Sequence, residues 1–292
     1  MKKYRVVKTP KSFNTPLGIS QTILTDVKEN SEVFIAEVGA YRRGEIENIT
    51  KLIRPTIGLI TSITPQHLEK FGSIENIAQA KFELALGLKE SGKIILNKNY
   101  KELVSLSYRA KCKVVFYGTS DSEFKVEDIK VGLEGTSFLL ITPKEKLQIK
   151  IPLVGAHHAY NFLAAAIVAL DLGVTLSEIS DRAKRLLPTP HRMEVTKSDK
   201  YTLIDNSFNT NLEASNSSFA LLNSTSSVQK IIITPGLIEL GKDAERINKE
   251  FIKNAGKFAN FIIIVGDLNK HYLRSGLSEI NFPKEKIFFV SS

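Results

Sequence analysis

A lysine on the apolar face of a predicted helix is the residue whose position points most directly to chemistry. Ser73 stands where a helix N-cap belongs, directly after Gly72, and Glu75 lies in the first turn. Helical spacing then places one set of residues on a single face: Ile74, Ile77, Ala78, Lys81, Ala85 and Leu88. Burying a lysine is costly unless a partner or a change of charge compensates. Either the amine of Lys81 snorkels to water along the core edge, or it belongs to a binding site.

Two apolar runs before this helix are predicted to form the strands beside which such a site would open. Ile57–Ile63 has the composition of a buried parallel strand, and the loop after it carries His67. Val33–Val38 is a shorter β-branched run that delivers Glu37 near its carboxyl end. Open α/β sheets bind ligands beyond the carboxyl ends of their strands. A lysine on the helix that follows such a strand is therefore well placed to reach a ligand.

Composition restricts the class of protein. The chain has 292 residues, enough for two domains, with 42% hydrophobic and 24% charged residues, as is typical of a globular protein. The single cysteine, Cys112, excludes an intrachain disulfide and fits a reducing, cytoplasmic compartment. We expect no signal peptide, because the N-terminal segment MKKYRVVKTPKSF has no apolar h-region. We expect no membrane partner, because no apolar run approaches about 20 residues. The net charge of +9 favours anionic ligands such as nucleotides and UDP-sugars. The sequence has no nucleic-acid-binding signature, so we expect no nucleic-acid partner.

Strands alternate with helices along most of the chain, which predicts an α/β protein with parallel sheets. Residues 124–153 instead alternate apolar and polar positions, which predicts a small antiparallel sheet of three strands. An apolar helix is predicted from Asn161 to Leu172, closed by Gly173. A linker around Pro188 suggests two domains, at residues 1–188 and 189–292. The second domain has four predicted strands, which we expect to form a Rossmann-like parallel sheet: Tyr201–Ile204, Lys230–Ile233, Phe261–Val265 and Lys286–Val290.

A complete phosphate-binding loop, G-x-x-x-x-G-K-[ST], is not found in the sequence. GLKESGKI has Ile94 where the hydroxyl residue belongs and runs from helix into strand, which is the wrong order. GLIELGKD follows a strand, but Asp243 replaces the hydroxyl residue and Glu239 would face phosphate charge. Neither segment is interpreted as a true phosphate loop.

The segment ITPQHLEKFGS before the Lys81 helix, together with AEVGAYRRGEI (36–46), resembles the central domain of the Mur ligase family. In that family the helix lysine is carbamylated, and a carbamate offers oxygen to magnesium. The resemblance implies that Glu37, His67 and Lys81 hold the metal and that Lys81 and His67 are catalytic. Without the resemblance, Glu37 is a solvated carboxylate at a strand end and His67 a surface histidine.

Two further motifs carry the resemblance to the nucleotide site. GAHHAYNFLAAA (155–166) is similar to the family's G-x-H-N-x-x-N-x-x-A-A, in which the last asparagine contacts the base, and this implies Asn161. The alternative is that Asn161 is a helix N-cap, and both roles can hold together. HRMEV (191–195) is similar to the stretch whose arginine reaches ATP phosphate, which implies Arg192. The alternative for Arg192 is a solvated linker residue.

LIDNSFNTNLEAS (203–215) resembles I-D-D-[ST]-[YF]-N-x-N-P, the hallmark of family members that add D-Ala-D-Ala to UDP-MurNAc-tripeptide. The resemblance implies nucleotide contacts from Asp205 and Asn206, although Asn206 replaces the second aspartate, which puts the ribose contact in question. The resemblance also implies a set of substrate-binding residues: Ser12, Asn14, Asn209 and Asn211.

Taken over the chain, the resemblance implies an ATP- and magnesium-dependent amide ligase acting through an acyl phosphate. Its substrates would be UDP-MurNAc-peptide and D-Ala-D-Ala. The family's phosphate loop lies upstream of the segment matching Thr9–Ile19, so we expect an incomplete central domain, no N-terminal UDP-binding domain, a possibly incomplete C-terminal domain and little activity from this chain alone. A gene fragment, a split enzyme with a second chain and a binding-only descendant remain open. So do a non-catalytic scaffold with this fold and a related ligase for another amino acid.

Overall fold

The computed structural model describes residues 3–65, 68–208, 211–226 and 229–291, which form an α/β protein of two compact units. The first unit comprises residues 1–125 and 163–176, and the second comprises 126–162 and 177–292. The predicted domain boundary at 188/189 falls inside the second unit and stays a prediction. No helix in the described ranges is both long and apolar enough to cross a membrane.

The first unit contains two parallel sheets. Its strands are β1 (Val6–Lys8), β2 (Val33–Ile35), β3 (Ile57–Ile60), β4 (Lys93–Asn97) and β5 (Lys113–Tyr117). Its helices are α1 (Pro16–Asp26), α2 (Glu45–Ile53), α3 (Leu68–Phe71), α4 (Ile74–Leu86) and α5 (Lys101–Leu106). Strands β1 and β2 pair in parallel, and β3, β4 and β5 form a second parallel sheet in that order. The carboxyl ends of β3, β4 and β5 consequently lie at one edge.

The core of the first unit explains why α4 lies where it does. Phe82 of α4, Ile94 and Leu96 of β4 and Leu103 of α5 are fully buried in one cluster. Each such side chain contributes about 1.5–3 kcal/mol by leaving water. The predicted cap of α4 is confirmed, because Ser73 Oγ accepts a hydrogen bond from the Asn76 N–H at 3.2 Å.

The small antiparallel sheet predicted for residues 124–153 is confirmed. It consists of β6 (Lys125–Gly132), β7 (Gly135–Ile141) and β8 (Lys146–Ile151), in that order, with β7 and β8 antiparallel. It is followed by α6 (Ala156–Asp171) and α7 (Leu176–Ala183). Helix α6 ends at Asp171, and Gly173 closes it as predicted: its φ of +73° permits a Schellman motif, in which Val174 N–H donates to Ala169 O at 2.9 Å.

The rest of the second unit combines a hairpin with a parallel sheet. Strands β9 (Glu194–Lys197) and β10 (Thr202–Asp205) pair antiparallel, whereas β11 (Ile231–Thr234), β12 (Phe261–Val265) and β13 (Ile287–Val290) are parallel. The helices are α8 (Leu212–Ser224), α9 (Ala244–Gly256) and α10 (Lys270–Glu279). The prediction that the strand at 201–204 joins the parallel sheet is wrong. Residues 198–201 are too short for a crossover and permit only a hairpin with β9.

Candidate active site

Lys81 lies in the middle of α4, half-buried, beside the loop that follows β3. Its Nζ donates a hydrogen bond to the backbone oxygen of Ser62 at 2.8 Å. Burial lowers the pKa of Lys81, because the ammonium form loses hydration that a single carbonyl does not replace. The neutral amine, which is the nucleophilic form, therefore forms more readily here than on a surface lysine.

Polar side chains lie at the edge of the sheet beside Lys81, although the strands themselves are mostly apolar. Asn97, the last residue of β4, is buried and donates from Nδ2 to Thr61 O at 2.9 Å. Tyr117, the last residue of β5, is fully buried, and its hydroxyl has no hydrogen-bond partner among the described residues. Burial raises the pKa of Tyr117. Sequence reasoning missed both residues, although a polar residue closing an apolar strand is the signal that could have found them.

Glu37 follows β2 by two residues and is exposed. Its backbone N–H donates to Thr9 Oγ1 at 3.0 Å, and its Oε1 lies 3.5 Å from Asn14 Nδ2. The N–H of Gly39 donates to Asn14 O at 2.9 Å, and a Cβ at Gly39 would lie 2.9 Å from the Asn14 amide. The structure therefore brings the predicted metal ligand Glu37 and the predicted substrate residue Asn14 together. Ser12 is exposed in the same turn, where its carbonyl accepts the Asn14 N–H at 2.8 Å.

The structure describes two of the three predicted metal ligands. His67 lies outside the described residues, as does Asn209 among the predicted substrate residues. Glu37 lies beyond β2 in one parallel sheet of the first unit, and the Lys81 amine lies beside the loop after β3 in the other. The combination of Glu37, His67 and Lys81 as one metal site stays a prediction.

Glu83, two residues after Lys81, ties α4 to the start of α2. Its Oε1 accepts from Gly44 N–H at 2.7 Å, and its Oε2 accepts from Glu47 N–H at 3.1 Å. Gly44 is the N-cap of α2, has a φ of +88° and offers no capping side chain, so Glu83 replaces one. Helix α4 thus fixes the segment after β2 as well as Lys81. Sequence reasoning missed this role, because the cap and the helix it serves are 36 residues apart.

Asn161 lies within α6 and is exposed. The interpretation of Asn161 as an N-cap is wrong, because the helix begins five residues earlier, at Ala156. The pKa of His158 is lowered to about 4 by burial, with the positive charges of His157 and Arg192 adding to the shift. His158, which stands where the family motif has asparagine, is consequently neutral near pH 7.

Arg192 lies just before β9 and is exposed, with its Cζ 4.7 Å from the centroid of the Phe208 ring. On one side of Arg192, His191 Nδ1 lies 2.7 Å from Asp205 Oδ2, and the Phe208 N–H donates to His191 O at 3.1 Å. The hydrogen bond and charge of Asp205 raise the pKa of His191. Neither His191 nor Phe208 was predicted as a site residue, since their partners lie across the hairpin.

The predicted ribose residues both have protein partners. Asp205 accepts the Ser207 N–H at 3.0 Å as well as the His191 contact. Burial opposes ionisation of Asp205, but these hydrogen bonds outweigh it and lower the pKa of Asp205. Asn206 donates from Nδ2 to Ser218 Oγ at 2.9 Å, toward α8. Asn211 caps α8, with its Oδ1 accepting the Ala214 N–H at 2.9 Å.

His191, Glu194 and Asp205 form a cluster of potential metal-binding side chains, with ligand atoms within 4.8 Å of one another. The His191–Asp205 separation of 2.7 Å is that of a hydrogen bond. Two ligands of one tetrahedral zinc lie farther apart, about 3.3 Å, given bond lengths near 2.0–2.1 Å. We therefore interpret this cluster as an ion pair beside Arg192.

The comparison with protein families gives a match to the Mur ligase middle domain over residues 1–169. The UDP-N-acetylmuramoyl-tripeptide–D-alanyl-D-alanine ligase of Bacillus subtilis is 30% identical over 85% of this chain and 54% of the relative. The ligase of the same name from Haemophilus influenzae is 27% identical over 88% of this chain and 55% of the relative. The chain therefore spans just over half the length of these relatives.

Solved structures share the fold. MurF from Acinetobacter baumannii superposes with a TM-score of 0.87 over 99% of this chain and 62% of that one, at 20% identity. A Thermotoga maritima MurF ligase in complex with ADP gives a TM-score of 0.81 over 99% of this chain and 70% of that one, at 20% identity. At this identity the likeness establishes the fold, and the family match covers more than half of the 292 residues. The chain belongs to the Mur ligase family.

Proposed function

We propose that this chain supplies the metal- and nucleotide-contacting part of an ATP-dependent ligase that joins D-Ala-D-Ala to UDP-MurNAc-tripeptide through an acyl phosphate. The observation that carries the proposal is the half-buried amine of Lys81, with its lowered pKa, beside the carboxyl end of a parallel strand. Such a perturbed group at such an edge is typical of a functional site. The named relatives support the choice of substrates.

The donor groups fit a magnesium ion once Lys81 carries a carbamate. The neutral amine of Lys81 can take up CO2 with release of one proton, which gives a carbamate with an anionic oxygen donor. Glu37 offers an exposed carboxylate, and magnesium prefers oxygen ligands. When bound, magnesium supplies charge stabilisation during phosphoryl transfer. We propose His67 as the third group of this site and as the catalytic partner of Lys81.

The nucleotide and the substrates are assigned to further residues of the chain. Arg192, exposed and stacked on Phe208, is proposed to bind phosphate, and Asn161, exposed on α6, to bind the base. Asp205 and Asn206 are proposed to contact the ribose from the end of the hairpin. The proposed substrate contacts are Ser12, Asn14, Asn209 and Asn211.

Ligation also needs a phosphate loop, because backbone amides and a lysine around the transferred phosphate supply much of such a site's electrostatic stabilisation. The 292 residues contain no complete loop of this kind. We propose that a further part, in the same polypeptide or in a second chain, supplies it, and that this chain alone has little activity.

The test is a complementation assay of ADP release and product formation. The purified chain is incubated with ATP, magnesium, UDP-MurNAc-tripeptide and D-Ala-D-Ala, with and without the loop-bearing N-terminal part of a MurF relative. We expect ligation only in the combined reaction. Ligation by the chain alone would contradict the proposed need for a second part, and no ligation in either reaction would contradict the ligase assignment.

Calorimetric titration with ADP and magnesium separates the remaining alternatives. Binding by the chain alone is expected, because Arg192 and Asn161 belong to it. Absence of binding would favour a non-catalytic scaffold with the Mur ligase fold. The complementation assay tests the other alternative: ligation of another amino acid or dipeptide in preference to D-Ala-D-Ala would favour a related ligase.

A further inference from the structure

Two short segments at the open end of the β9–β10 hairpin hold each other around Arg192. We call them the clasp: residues 191–194, which lead into β9, and residues 205–208, which leave β10. The strand register places Asp205 opposite Glu194, so the end of the first segment lies beside the start of the second. The clasp lies wholly within the second unit.

The contacts of the clasp alternate along residues 191–193. His191 turns toward the partner segment, with Nδ1 2.7 Å from Asp205 Oδ2 and its carbonyl accepting the Phe208 N–H at 3.1 Å. Met193 is buried, and its sulfur accepts a hydrogen bond from Ser218 Oγ at 3.0 Å. Arg192, between these two anchored residues, is exposed and stacks on Phe208.

The backbone on either side of Arg192 adopts an unfavourable conformation, so contacts with the surrounding residues must hold it there. His191 has a φ of +61° and Met193 a φ of +51°, in the left-handed region that non-glycine residues rarely occupy. Each such residue costs on the order of 1 kcal/mol and persists where surrounding contacts determine it. The His191–Asp205 pair and the burial of Met193 are the contacts that do so here.

We propose that His191 is a positioning residue that, through its pair with Asp205, holds the guanidinium of Arg192 in place for a nucleotide phosphate. The inference rests on the proposed function, which assigns phosphate binding to Arg192. His191 need not touch the nucleotide. Its effect is to reduce the conformational freedom that a long side chain loses on binding.

The charges around His191 give the proposal a pH dependence. His191 faces Asp205 on β10 and Glu194 on β9, next to Arg192. Arg192 in turn faces His157 and His158 of α6, whose pKa values are lowered by burial and further by the arginine. Asp205 raises the pKa of His191, so the charged pair is complete below the usual histidine value and is lost as pH rises through the raised one. Phosphate affinity should fall over the same range.

The first readout needs no ligand: side-chain NMR relaxation of the Arg192 Nε–H group. We expect His191→Ala to make this group markedly more mobile and His191→Asn to keep it ordered, because the asparagine amide nitrogen can replace Nδ1 as a donor to Asp205. His271→Ala, in the same unit on α10, is the control for loss of a histidine. Unchanged order of Arg192 in His191→Ala would overturn the proposal.

The second readout is the affinity for ADP with magnesium from about pH 5.5 to about pH 8.5. Because ADP titrates in this range, each variant is compared with the wild type at the same pH. We expect His191→Ala to weaken binding about fivefold at the acidic end and less than about twofold at the basic end. His191→Asn should show a smaller loss at the acidic end, since it keeps the geometry without the charge.

Equal loss at every pH would overturn the role of the charged pair. Absence of ADP binding by the wild type would contradict the proposed function of Arg192, while the NMR readout would still decide whether His191 positions it. The two failures are therefore distinguishable.

Discussion

Lys81 and Arg192, the two cations to which the proposed function assigns roles, lie in opposite kinds of surroundings. Lys81 is half-buried on a core helix, its amine has one backbone acceptor, Ser62 O, and burial lowers its pKa. Arg192 is exposed at the end of a hairpin and lies against the ring of Phe208. A lysine can lose its charge under such conditions, whereas an arginine keeps it. The first environment suits a group that changes its charge by reaction, and the second suits a group that binds an anion.

The supports of the two cations differ as well. Lys81 is carried by α4, whose neighbours Phe82 and Ala85 belong to the core of the first unit. Arg192 is carried by an irregular segment that contacts across the hairpin hold in place. We therefore expect substitutions around Lys81 to affect stability and chemistry together, and substitutions around Arg192 to affect binding with little loss of stability.

The largest expected effect is on ligation in the complemented assay. Lys81→Arg keeps the positive charge but cannot form the carbamate, so we expect the rate of ligation to fall about 100-fold or more. Lys89→Arg, at an exposed position just beyond α4, is the matched control and should leave the rate unchanged. A Lys81→Arg variant within twofold of the wild type would remove the distinction between the two cations.

The next effect is on nucleotide affinity. Arg192→Lys keeps the charge but loses the planar fork and its stacking on Phe208, so we expect ADP to bind about tenfold more weakly in calorimetry. Arg246→Lys on α9, where the arginine pairs with Asp243, is the control for a general loss of guanidinium charge. An affinity unchanged by Arg192→Lys would place the phosphates elsewhere.

A smaller effect tests the support of the Lys81 region. Glu83→Ala removes both acceptors at the start of α2, and we expect the free energy of unfolding in urea to fall by about 1–2 kcal/mol. Glu90→Ala, at an exposed position beyond α4, should change it by less than about 0.5 kcal/mol. Equal losses in the two variants would show that Glu83 does not stabilise the cap.

The smallest effect has the opposite sign. Lys81→Met removes a cation whose burial is unfavourable, so we expect the free energy of unfolding to rise by up to about 1 kcal/mol at neutral pH. Because the folded pKa of Lys81 is lowered, the unfolded chain binds more protons between that pKa and the usual value of lysine. Wild-type stability should therefore rise with pH in this window, and the rise should be absent in Lys81→Met. A stability loss in this variant would mean that the hydrogen bond to Ser62 outweighs burial.

Local patterns in the sequence predicted the Lys81 region well. The Ser73 cap, the apolar face of α4 and the strand before it depend on residues close together in the chain, so periodicity and capping rules apply to them. The predicted strand at 57–63 nevertheless ends at Ile60. The carbonyls of Thr61 and Ser62 accept hydrogen bonds from the side chains of Asn97 and Lys81 instead of from a neighbouring strand.

Local sequence patterns did not predict the clasp around Arg192. Resemblance identified Arg192, but the pairing of His191 with Asp205 depends on a hairpin whose first strand, Glu194–Lys197, was not predicted. That strand is only four residues long and follows two residues with positive φ, so no periodic signal marks it. The hydrogen bond from Asn206 to Ser218 likewise depends on the packing of α8, which no local pattern around Asn206 predicts.

The most direct test of the central claim is whether the Lys81 amine takes up CO2. The purified chain is equilibrated with ¹³C-labelled bicarbonate and examined by ¹³C NMR for a carbamate resonance, in the wild type and in Lys81→Arg. The lowered pKa of Lys81 predicts a carbamate resonance in the wild type that is missing from the variant. A wild-type spectrum without this resonance, or a resonance that persists in Lys81→Arg, would contradict the assignment of Lys81 as the amine that reacts with CO2.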